Sequence, residues 1–328
     1  MNVKRMLAKV GVTLCAMSLM AGCGLVIGKR EQINAKWPSK PVTMIVPWGA
    51  GGDTDVYARL VAKRLTDKFG KSFVVVNTTG GSGIVGSKTA MGARPNGYTL
   101  LFGHTGSNAI QEATNTVDFS YEKDFETAGT VMQDNTYTVV VKKSDKWKDL
   151  KSFIAYAKAH PGEVRYSQVY GTITHYVGNS MEETMGIKFN MLDVGAGGAA
   201  RLAAFMGDQV DVLAANYLNV RDYVEKGDFI VLGVCADKRV PGMEKVPTFK
   251  EQGFDISYPK SYELKFPKGT NKAVVEEVSK ALEEIAKDSS FKSDISKYYA
   301  TPYYRNGETT VKEDTALIEK LKQTIKLN

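Results

Sequence analysis

Residues 42–47 are apolar almost without a break, and residues 55–69 place Val56, Leu60, Val61 and Leu65 on one helical face ahead of Gly70. Residues 73–77 return to an apolar run. A short apolar run reads as a buried strand and a 3.6-residue period as an amphipathic helix, so this stretch predicts strand, helix, strand. Residues 84–92 and 98–103 add another helix and strand, which completes two βαβ units. Further on, residues 136–142 are apolar and β-branched, and residues 149–160 keep a helical period that stops at Pro161 and Gly162. A second set predicts strands near 164–169, 189–194, 209–214 and 229–236, with helices at 173–185, 199–205 and 220–226 between them. From Asn271 the chain is mostly helical: Val274, Val278, Leu282 and Ile285 are in phase, and Leu317, Ile318, Leu321 and Ile325 share a last helix.

Alternation of this kind predicts α/β architecture, here two lobes, each a mostly parallel sheet flanked by helices. Lobe 1 is expected over 37–142 and lobe 2 over 143–254. Residues 255–328 are expected to return to lobe 1 with the C-terminal helices, so that the chain crosses between lobes near 142 and near 255. In open α/β sheets ligands sit beyond the carboxyl ends of the strands. Those ends are rich in glycine: the first strand runs into Gly49, Gly51 and Gly52, and similar turns follow at 77–86, 103–108, 167–172 and 194–198. Free N–H groups at the start of a helix carry the positive end of its dipole, and glycine lets an anion approach them. Several such turns facing one cleft are expected to hold a small carboxylate with little help from charged side chains.

Lys4, Arg5 and Lys9 followed by the apolar segment 10–21 read as a secretory signal over 1–22. That segment is too short to span a bilayer, and nothing later is long and apolar enough to do so. Leu19-Met-Ala-Gly-Cys23 resembles a lipobox, which makes Cys23 the lipidated first residue of the mature chain. Residues 23–36 then form a polar tether. The formal charge of +7 falls to +4 after cleavage, because Lys4, Arg5 and Lys9 leave and no acid does. So mild and dispersed an excess argues against a nucleic-acid partner. Of the three cysteines, Cys15 leaves with the signal and Cys23 takes lipid, so Cys235 has no disulfide partner and is expected in a buried strand.

Gly81, Gly83 and Gly86 form a literal G-x-G-x-x-G between a strand and a helix, the context of a dinucleotide site. The acid that such a site places some twenty residues on is missing, since no Asp or Glu occurs between Ser87 and Gln111. Nucleotide binding is therefore the lesser reading. His104, His160 and His175 lack ligand-spaced partners, which argues against a metal. Ser167 and His175 offer a nucleophile and base for a secreted hydrolase, but no third member accompanies them. No cofactor is expected, and no enzymatic activity.

From Trp37 onward the chain resembles the Bug/TctC family of extracytoplasmic solute receptors. The residues concerned are Trp37-Pro-Ser-Lys-Pro41, Ile45-Val-Pro-Trp-Gly-Ala-Gly-Gly-Asp-Thr-Asp55, Asn77 with Gly80 to Gly86, and Pro95-Asn-Gly-Tyr-Thr-Leu-Leu101. Asp124-Phe125, Gly171-Thr172 with His175, Gly207-Asp-Gln-Val-Asp211 and Pro267-Lys-Gly-Thr270 continue the match. The resemblance implies a two-lobed periplasmic-binding-protein fold and a monomeric receptor that passes a small carboxylate to the membrane permease of a tripartite transporter. It implies a site whose first-lobe side is Trp48, Gly51, Gly52, Asp53, Thr54 and Asn77, with His104, Thr105, Gly106 and Ser107. The second-lobe side would be Ser167, Thr172, Gly195 and Gly197, and Asn216 is a further candidate for the ligand site.

Two departures set this chain apart. Asp53 stands where the family's turn usually has a small residue, and Val194-Gly-Ala-Gly197 stands where Pro-Tyr-Lys-Gly is frequent. Asp53 has two readings, an N-cap of the following helix or a partner for a ligand ammonium group, which would make the ligand an amino-bearing acid. Tyr262 is expected to wall the ligand, and Tyr217 and Tyr258 either share that wall or pack between the lobes.

Overall fold

The computed structural model describes residues 37–195 and 197–324. The leader, Cys23, the tether and Ile325 lie outside them. The apolar run expected first forms β1 (Val42–Val46). In α1 (Asp53–Phe69) the apolar face buries Tyr57, Ala58, Val61, Ala62 and Leu65, and Gly70 ends the helix at φ 66°, where its N–H bonds the Thr66 carbonyl. There follow β2 (Phe73–Asn77), α2 (Ile84–Met91), β3 (Thr99–His104), α3 (Thr105–Ala113), β4 (Phe125–Asp134) and β5 (Tyr137–Lys142). Next come α4 (Leu150–Ala159), β6 (Arg165–Gln168), α5 (Ile173–Met185), β7 (Asn190–Asp193), α6 (Gly198–Met206), β8 (Val212–Asn216), α7 (Arg221–Lys226) and β9 (Phe229–Val234). The chain ends with β10 (Lys260–Pro267), α8 (Lys272–Lys287), α9 (Ser289–Ser296), β11 (Thr301–Asn306) and α10 (Gly307–Thr324).

The strands form two sheets, ordered β11-β4-β10-β3-β1-β2 and β7-β6-β8-β5-β9. Each contains three parallel strands, β2-β1-β3 in one and β7-β6-β8 in the other. Next to each trio lies an antiparallel strand that arrives from the other lobe, β10 beside β3 and β5 beside β8. The sheets are thus mixed rather than mostly parallel, because a chain that crosses between lobes enters the second sheet running the opposite way. The first crossing also falls earlier than expected. Tyr137–Lys142, read as the end of lobe 1, pairs with β8 and β9 in the second sheet, so the chain passes over at Asn135 and Thr136.

The return brings β10 between β3 and β4, and α8 and α10 pack on β4. Val274, Val278, Leu282 and Ile285 are buried on α8 as their period predicts. Ile318 and Leu321 of α10 join a cluster that also holds Val139, Phe153 and Val177 of the second lobe. Cys235 is buried and unpaired. Among the described residues no helix is long and apolar enough to cross a membrane.

Candidate functional site

The turn after β1 is pinned from behind. Asn77 donates through Nδ2 to the Trp48 carbonyl (2.9 Å) and to Asp55 Oδ1 (3.0 Å), while Asp55 Oδ2 accepts from the Gly51 amide (3.0 Å) and Arg59 Nε (3.0 Å). Gly51 adopts φ 79°, a conformation that favours glycine. The G-x-G-x-x-G serves the same turn by packing. A Cβ on Gly83 would lie 3.2 Å from the Trp48 ring, and one on Gly86 would lie 2.4 Å from the Thr78 carbonyl and 2.7 Å from Pro47 Cα. These glycines therefore let α2 press against the turn that presents Trp48.

Beyond the strand ends lies a cleft lined from both sheets. Trp48, Gly49, Gly52, Asp53, Thr54, His104, Gly106 and Lys260 face Tyr137, Thr172, Ile173, Thr174, Gly197, Gly198, Arg201 and Asn216. Helices α1, α3, α5 and α6 all begin there. About 40 Å³ remains open to the centres of water molecules, room for about three at 10–15 Å³ apiece.

Charge in the cleft is concentrated on three side chains. Lys260, only 2% exposed, donates from Nζ to Asp53 Oδ2 and to Asn216 Oδ1, both at 2.6 Å. Tyr262 donates its hydroxyl to the same Asp53 oxygen at 2.6 Å. Burial alone would raise the Asp53 carboxyl's pKa, yet the Lys260 ammonium beside it and the Tyr262 hydroxyl hold it well below the usual carboxylate range. Burial and the same ammonium push His104 down to about 3, so its imidazole is neutral and stacks on Trp48 at 5.7 Å. Asn216 also donates to Asp134, which accepts from Tyr57 (2.8 Å) and from the Thr136 amide (2.7 Å) at the first crossing. Arg201 is the third charged group, 7% exposed. Its Nε has no hydrogen-bond partner, and neither do Trp48 Nε1 and His104 Nδ1.

Of the expected site residues, Trp48, Gly52, Asp53, Thr54, His104, Gly106, Thr172, Gly197 and Asn216 line this cleft. Gly51 and Asn77 instead shape the turn behind it. Thr105 is spent on structure, its carbonyl accepting from Tyr258 (2.9 Å) and its hydroxyl from the Ser261 amide (3.1 Å). Ser107 donates to the His104 carbonyl (3.3 Å), and the Gly195 amide bonds Asp193 (3.0 Å). Tyr262 stands behind Asp53, Tyr258 is a lobe-packing residue, and Tyr217 packs on Tyr299. Ser167 and His175 are outside the cleft lining. Ser167 Oγ is buried without a partner, and His175 Nε2 pairs with Asn179 at 3.1 Å.

The N-cap reading of Asp53 is corrected. Gly52 is the N-cap and α1 has no side-chain cap bond, whereas the Asp53 carboxylate is already neutralised by Lys260. Two cations that the sequence reading did not place in the cleft, Lys260 and Arg201, line it. Each had a sequence signal. Strand period places Lys260 on one face with Tyr262, Leu264 and Phe266, and Arg201 is the one charged residue of α6.

Two mixed sheets enclosing a cleft at which four helices begin define a two-lobed solute-binding protein. Residues 57–327 match the tripartite tricarboxylate transporter family receptor, TctC, and the chain belongs to that family. BugT of Bordetella pertussis is 26% identical over 316 residues, covering 94% of this chain and 93% of BugT. A structure described as that of a periplasmic transporter is similar at TM-score 0.82 and 27% identity, over 88% of this chain and 97% of the other. An R. palustris protein solved with adipate is similar at TM-score 0.80 and 26% identity, over 88% of this chain and 98% of the other.

Proposed function

We propose that the cleft captures a small carboxylate and that the protein, anchored by lipid at Cys23 outside the cytoplasm, hands it to the membrane permease of a tripartite transporter. The observation that carries this is the convergence of four helix starts on one cleft where the Trp48 indole N–H, a donor only, lacks an acceptor. An anion satisfies both at once. The adipate-bound relative supports a carboxylate as that anion. With Asp53 already paired to Lys260, no ammonium group is called for, and plain acids are favoured over amino acids.

Native mass spectrometry of protein purified without added ligand, followed by calorimetry with succinate, adipate and citrate, is the direct test. At least one acid should be carried or bound with measurable heat. A protein that carries none and gives no heat with any of the three contradicts the reading. For the anchor, radiolabelled fatty acid should enter the wild type and not Cys23→Ser, and equal labelling of the two would exclude lipid at Cys23.

A further inference from the structure

Lys260 and Asp53 cancel each other at 2.6 Å, and the neutral His104 adds no charge. That leaves Arg201 as the uncompensated charge of the cleft. No carboxylate among the described residues pairs with it, its Nε–H has no acceptor, and it is 7% exposed. A guanidinium cannot shed its proton near neutrality, so a buried and unpaired one is costly until an anion arrives. Nothing in the fold supplies that anion, although Tyr137, Thr174 and Gly198 surround the position with buried, uncharged groups. Facing it from the other lobe are Trp48 and the starts of α1 and α3. Each helix start is worth about half a unit of positive charge.

We propose that Arg201 forms the ion pair with one carboxylate of the ligand while the helix starts and the Trp48 N–H receive a second acidic group, so that the receptor selects diacids over monoacids. This rests on the reading of the cleft as a carboxylate site. A fork of parallel N–H donors matches a carboxylate in its plane, which lysine at this position does not reproduce.

Calorimetry on the wild type, Arg201→Met and Arg201→Lys, with succinate, adipate and hexanoate as probes, tests it. The wild type should bind a diacid and prefer adipate to hexanoate. Arg201→Met should lose diacid affinity by about 10- to 150-fold, the equivalent of a hydrogen bond to a charged group, and should lose the preference for adipate over hexanoate. Arg201→Lys should fall between the two. Thermal melting of the ligand-free proteins separates this role from a structural one, because removing an unpaired buried cation should leave the melting temperature of Arg201→Met equal to or above that of the wild type. Diacid binding by Arg201→Met as tight as wild type, or a lower melting temperature with every probe weakened alike, overturns the ion pair but leaves the carboxylate reading standing. A wild type that binds none of the probes, nor any acid carried through purification, overturns both.

Discussion

Lys260→Met is expected to destabilise the protein by about 3–5 kcal/mol, the usual result of removing one partner from a buried ion pair. The cost comes from what is left behind. Asp53 would keep the Tyr262 hydroxyl but lose the cation it is bonded to, in a buried position at the cleft wall. The pH dependence should change sign with it. In the wild type the Asp53 pKa is held below its unfolded value near 3.8, so its contribution is fully present above that value and is lost only as pH falls further. Without Lys260, burial raises the same carboxyl, its proton is bound more tightly folded than unfolded, and the variant regains stability on acidification from pH 7 to 5. Urea unfolding of wild type, Lys260→Met and the pair Asp53→Asn/Lys260→Met at both pH values checks this. The double variant should recover most of the loss, since no charge is stranded. A single variant within 1 kcal/mol of wild type, a threshold of about the scatter of such measurements, would show that the pair contributes little.

The path from sequence to cleft was legible where backbone alone makes the structure. The run into Gly49, Gly51 and Gly52 and the apolar face of α1 follow from local period and glycine conformations, and Trp48, Gly52 and Asp53 were placed by them. What escaped was decided by pairing over long sequence separations. Lys260 lies 207 residues from Asp53, and no local pattern says that a lysine is buried until its acid is known. The same holds for β10, whose Lys260, Glu263 and Lys265 disguise a fully internal strand. Gly197 does cap a helix, but the cation that helix brings, Arg201, lies one turn further on and reads locally as an ordinary helix former. Crossing at Asn135 rather than 142 is a tertiary fact of the same kind, since Tyr137–Lys142 reads as a strand in either lobe.

The interior of the first lobe holds a second ion cluster, and loss of its cation should cost as much and likewise shrink on acidification. Lys265, 1% exposed, places Nζ 2.7 Å from Glu263, 3.0 Å from Glu122 and 3.7 Å from Asp314. One cation cannot balance three buried acids. Burial first, then the Glu263 charge, drives the Asp314 carboxyl far up, so it keeps its proton at neutral pH. Burial also pushes Glu122 up to about 7, against the pull of Lys265. Raised acids bind protons more tightly folded than unfolded, so the stabilisation from Glu122 is complete below about 4.5 and is lost as pH rises to about 7. His104 slopes the other way, because its lowered pKa costs stability as pH falls below the unfolded value of 6.5. Comparison with Glu122→Gln cancels that term: the variant should gain on the wild type by on the order of 1–3 kcal/mol between pH 4.5 and 7.5. Asp314→Asn, which copies the protonated acid, should be nearly neutral at pH 7. Lys265→Met should lose about 3–5 kcal/mol at pH 8, where the acids are left without their cation, and clearly less at pH 5, where they take up protons instead. Urea titrations across this range decide it. A Lys265→Met loss that is the same at both pH values, or an Asp314→Asn loss as large as that of Lys265→Met, would mean that the cluster is fully ionised and held by packing rather than by shared protons.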